Sequence, residues 1–105
     1  MLRSLYRTPE GPVRTDLSPE AFATVLRESD SLLWVDFDGE PAEVCEPILR
    51  QSFGFHPLAV DDALQESHVP KVDDWDTYLY VVLHAVTLEQ ADQVALDTLE
   101  VDAFL

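Results

Sequence analysis

FGFHPLAVDDALQESHVPKVDDWDTYLYVVLHAV, residues 53–86, decides the architecture of this 105-residue chain. Pro57 suits a first helical position, where its missing N–H costs nothing, and Val60, Ala63 and Leu64 then fall on one helical face. His56, just before Pro57, is placed to cap that helix, and His68 and Pro70 mark its end. Thr77 to Val86 is the best strand in the chain, rich in Tyr and Val. Its alternation sends Tyr78 and Tyr80 to one sheet face, as packing residues rather than a ligand platform. A helix followed closely by a strand predicts an α/β chain.

Upstream, Leu2–Thr8 reads as a short strand, followed by a loop with Pro9, Gly11 and Pro12. Ser18-Pro19-Glu20-Ala21 is a helix start, with Ser as N-cap and Pro first; Phe22, Val25 and Leu26 form its apolar stripe, to about Glu28. Leu32–Phe37 predicts a buried strand. Pro41 opens the next helix, with Val44, Cys45, Ile48 and Leu49 on one face, and Pro47 inside it should kink or split it. Gly54 closes the segment. Downstream, a turn at residues 89–93 leads to Ala95–Leu105, which alternates like a half-buried strand. A strand running to the final residue is expected to continue in a longer protein. The expected fold is a mixed α/β layered domain over residues 1–105, one mixed sheet flanked by short helices and cut short at its end.

Charge narrows the function classes. Six basic residues face 21 acidic ones, a net charge of −15, and residues 51–105 hold Lys71 as their single basic residue. Such a surface repels nucleic acid and anionic membranes and attracts metal cations or basic proteins, although acidity also serves solubility alone. The longest apolar run, Tyr78–Val86, is far short of the roughly 20 residues that span a bilayer. The N-terminus carries arginines but no apolar signal core. Cys45, the single cysteine, cannot form an internal disulfide, which suits the cytosol.

Three acidic constellations could carry chemistry. Asp36-Phe37-Asp38-Gly39 after an apolar strand is similar to the nucleophile motif of haloacid-dehalogenase-type phosphatases. Glu40 stands where that family has Thr or Val, the required later lysine could only be Lys71, and a strand-end Asp-Gly turn explains the same residues. Asp61 and Asp62 point about 100° apart on their helix, away from the apolar face. They form either a solvated face or part of a hard-cation site, since magnesium takes one or two carboxylates and keeps several waters. Asp73-Asp74-Trp75-Asp76 reads as a loop that guards a strand against aggregation. His56, His68 and His84 match no zinc spacing; His84 is expected as a packed or edge histidine and Cys45 as a small buried side chain.

From Leu33 onward the chain resembles the CorA family of magnesium/cobalt transporters. Phe53–Leu64 looks like that family's FG-hydrophobe-HPL…ED segment, and His68-Val69-Pro70-Lys71-Val72 like its QRPK segment, with His-Val for Gln-Arg. Tyr78–Leu83 matches the strand that follows there, Trp34-Val35-Asp36 an upstream strand, and Leu99–Leu105 the start of a later one. The resemblance implies a regulatory, non-enzymatic N-terminal domain on the cytoplasmic side of the cell membrane, in a homopentameric channel for divalent cations. In that family cytoplasmic Mg2+ binds between neighbouring subunits and holds the channel closed. The acidic pair after the HPL segment lies at that site, here Asp61 and Asp62, with Asp61 one methylene shorter than the usual Glu. The implied ligand is regulatory Mg2+, with Co2+ a second candidate, and the implied partners are neighbouring subunits, with no nucleic acid. The membrane helices and their Gly-Met-Asn signature are outside this sequence. A stand-alone acidic interaction module and the phosphatase are the alternatives.

Overall fold

A computed structural model describes residues 1–66, 69–88 and 96–105. They form α/β structure in two compact units, Met1–Val60 and Asp61–Leu105.

The first unit pairs β1 (Leu2–Arg7) antiparallel with β2 (Leu32–Phe37), so that Arg3 faces Asp36 and Tyr6 faces Leu33. Tyr6 also exchanges two backbone hydrogen bonds with Arg14, at 2.9 and 2.8 Å, pinning the intervening Pro-rich loop. Ser18 takes the expected N-cap backbone conformation, but its side chain makes no capping bond, and a 3-10 turn at Pro19–Ala21 leads into the short helix α1 (Phe22–Val25). Phe22 is fully buried and packs on Phe53 with the rings tilted and their centroids 6.2 Å apart, and Phe53 stacks on Phe55 at 5.3 Å.

Two expectations for this unit meet different outcomes. β2 is not a buried strand: Leu32 and Trp34 are exposed, because a two-stranded ribbon buries one face at most. The helix after Pro41 divides at Pro47. α2 (Ala42–Pro47) is α-helical, and Ile48–Ser52 widens into a π turn, as a proline lacking its N–H dictates. Cys45, Ile48 and Leu49 are buried as read, whereas Val44 is exposed. Gly54 ends the segment at φ 73°, a left-handed conformation that favours glycine, and the Phe55 N–H donates to the Leu49 carbonyl.

The helix α3 (Pro57–Leu64) carries Ala59 and Val60 buried and Asp61 and Asp62 exposed. The Leu58 N–H donates to His56 Nδ1 at 3.1 Å, the cap expected of that histidine. The expected helix end at His68 lies outside the described residues.

The second unit is a three-stranded sheet in the order β3 (Lys71–Asp74), β4 (Leu79–Leu88), β5 (Leu96–Phe104). Asp73 and Asp74 therefore lie with Lys71 in a strand, not in the loop read from the sequence. Four residues separate β3 from β4, and Asp74 shapes their turn: its Oδ1 accepts the Asp76 N–H at 2.9 Å while Asp76 takes φ 67°. A link that short permits only antiparallel pairing, because parallel strands need a crossover of a dozen or more residues. Every pairing among the described residues is antiparallel, in two sheets rather than one mixed sheet. The turn expected at 89–93 lies outside the described residues.

Candidate functional site

Register assembles the polar cluster of the second unit. Lys71 faces Val82 across β3–β4 and Asp73 faces Tyr80, while Tyr80 faces Phe104 and Val82 faces Asp102 across β4–β5. Period-two alternation then places Lys71, Asp73, Tyr80, Val82, His84, Glu100, Asp102 and Phe104 on one sheet face.

Asp62, on α3, meets this face through Lys71. The Lys71 Nζ lies 2.8 Å from Asp62 Oδ2 and 2.9 Å from Asp73 Oδ2, and 5.4 Å from the centre of the Tyr80 ring. Hydrogen bonds to Asp62 and then Asp73 push the ammonium up to about 12, so it stays charged throughout the neutral range. Asp61, one residue earlier, is exposed and makes no ion pair among the described residues. The 100° step between adjacent helical positions separates the two carboxylates as expected.

Tyr80 is fully buried, and its hydroxyl donates to Asp102 Oδ1 at 2.6 Å. Burial, and then that bond, raise the phenol above its ordinary range. Burial also raises Asp102, with Glu100 adding to the effect and Tyr80 and Lys71 opposing it. Beyond them His84 Nε2 is buried 4.0 Å from Glu100 Oε2, too far for a hydrogen bond. His84, Glu100 and Asp102 line a cavity of about 340 Å³ with Ala63, Leu64 and Glu66 of the α3 side. The strand alternation signals which residues share a face. The pairing of Tyr80 with Asp102 needed the register of a second strand, which no local pattern supplies.

The D-x-D-G motif has a structural account. Asp36 lies in β2, one residue before its end, and pairs with its cross-strand neighbour Arg3 at 2.8 Å, Asp38 lies 3.6 Å from the same guanidinium, and Gly39 turns the chain at φ 65°. The lysine that a phosphatase would require is held by Asp62 and Asp73.

Do the α3 carboxylates fit a hard divalent cation? Their oxygens are the right donors, and the Lys71 ammonium shows a cation already seated on Asp62. No group of three or more His, Cys, Asp or Glu side chains is gathered for a metal among the described residues. The chain thus offers two carboxylates, with water or other donors needed to complete a shell.

The candidate site of this small α/β chain is the exposed Asp61-Asp62 pair on α3. Comparison with known proteins assigns its lineage. The family model for the CorA-like Mg2+ transporter protein matches residues 29–104, so the chain belongs to that family. It is 44% identical over 71 residues to the putative metal ion transporter YfjQ of Bacillus subtilis, covering 68% of this chain and 20% of that protein. It is 28% identical over 65 residues to the cobalt/magnesium transport protein CorA of Thermotoga maritima, covering 62% of this chain and 18% of that protein. The chain spans about a fifth of the length of these curated relatives. No helix among the described residues is long and apolar enough to cross a membrane.

Proposed function

We propose that this chain is the regulatory domain of a divalent-cation transporter, on the cytoplasmic side of the membrane, and that Mg2+ is the ion it senses. The observation that carries this reading is the exposure of Asp61 and Asp62 on α3 in a chain of CorA-like ancestry. Two carboxylates with several retained waters suit Mg2+, which dehydrates reluctantly. The remaining donors come from a neighbouring subunit of a homo-oligomer, a pentamer by family resemblance. Acidic subunits repel one another, and a cation between them offsets the repulsion. Loss of Mg2+ then frees the subunits to separate, a ligand shifting a two-state equilibrium through its differential affinity.

The role is regulatory rather than enzymatic, and Co2+ is a second candidate ion. The test is transport by the full-length protein that carries this segment. Asp62→Ala should weaken Mg2+-dependent closure, and unchanged inhibition by Mg2+ would overturn the reading.

A further inference from the structure

We propose that Lys71 is a built-in competitor for the divalent cation at Asp62, so that metal binding there requires the ammonium to be displaced. The inference rests on the reading of Asp62 as a metal ligand and goes beyond it by naming the residue that sets its affinity.

Three features hold the ammonium in place. Asp62 Oδ2 accepts from Nζ at 2.8 Å, Asp73 Oδ2 lies at 2.9 Å, and the Tyr80 ring lies beneath at 5.4 Å. The lysine side chain is only 31% exposed, so it is not a freely rotating surface group. Asp62 is half exposed, so an ion from solvent can reach it. A divalent ion on Asp62 carries two charges within a few ångströms of the ammonium, and their repulsion opposes joint occupancy. Asp73, which already holds Lys71 at 2.9 Å, keeps its charge paired while Asp62 turns to the metal. Lys71 thereby raises the cation concentration needed to load Asp62, and Asp61, without such a partner among the described residues, escapes this competition.

The experiment titrates the 105-residue chain with Mn2+, a hard-donor stand-in for Mg2+, reading paramagnetic broadening of the Asp61 and Asp62 backbone amides, with Mg2+ as competitor. Four variants are compared: Lys71→Gln, Lys71→Met, Lys71→Arg and Arg50→Gln. Arg50 pairs with Glu46, so Arg50→Gln reports the effect of losing one positive charge elsewhere. The expected result is a midpoint about fivefold lower or more in Lys71→Gln and Lys71→Met, the order of removing one charge beside a carboxylate near water. Lys71→Arg and Arg50→Gln should stay near wild type. Equal midpoints in wild type and Lys71→Gln, or equal shifts in Lys71→Gln and Arg50→Gln, would overturn the competition while leaving the metal site standing. Broadening at neither Asp61 nor Asp62 in any variant would overturn the competition as a property of this chain, and transport by the full-length protein then decides the site alone.

Discussion

The Tyr80 hydroxyl donates to Asp102 Oδ1 at 2.6 Å, between a residue with no exposed surface and a carboxylate that burial has made reluctant to ionise. The bond joins β4 to β5 on the face that carries Lys71 and His84. Replacing Asp102 by Asn keeps an acceptor oxygen and removes a poorly solvated charge. Asp102→Asn should therefore match or exceed wild-type stability at neutral pH in urea unfolding. Asp102→Ala leaves a buried phenol without its acceptor and should cost about 1–3 kcal/mol.

The same carboxylate gives a pH dependence of definite sign. Its pKa is raised in the folded chain above the ordinary 3.8, so between those two values the folded state binds more protons than the unfolded one. Asp102 therefore weakens the fold as pH rises through this window, and acidification relieves it. The advantage of Asp102→Asn over wild type should be largest at neutral pH and shrink as pH falls towards 4, measured as the difference in urea midpoint.

Phe22 anchors the first unit. It is fully buried against Phe53, and the helix that carries it is too short to persist without such packing. Phe22→Ala should lower stability by about 3–5 kcal/mol in chemical denaturation.

Cys45 tests the buried face of α2. Burial, and then Glu40, raise its thiol, whose Sγ lies 3.7 Å from the Glu40 carbonyl. The thiolate is the reactive form, so native Cys45 should react far more slowly with a disulfide reagent than the unfolded chain does. A rate equal to that of the unfolded chain would show that this face of α2 is open to solvent.

Residues with a local cause were legible in the sequence. Proline marked the start of α3 and the division after α2, the Tyr/Val run marked β4, and His56 marked a cap that the Leu58 N–H confirms. β3 was missed because Lys71–Asp74 is short and mostly charged. What makes it a strand is pairing with β4 rather than any propensity of its own. The burial of β2 was overstated for a related reason, since an apolar run shows what a strand can bury but not whether a partner covers it. The candidate site divides the same way. Asp61 and Asp62 stand out as adjacent acids on a helix, whereas the hold of Lys71 on Asp62 joins residues nine apart through a strand the sequence did not reveal.

The proposal that the α3 acids sense Mg2+ is put to the test by ion flux through liposomes containing the full-length protein that carries this segment. Asp61→Ala/Asp62→Ala should shift Mg2+-dependent closure to higher Mg2+ or abolish it, with conduction in the open state retained. A double variant that closes at the wild-type Mg2+ concentration would contradict it.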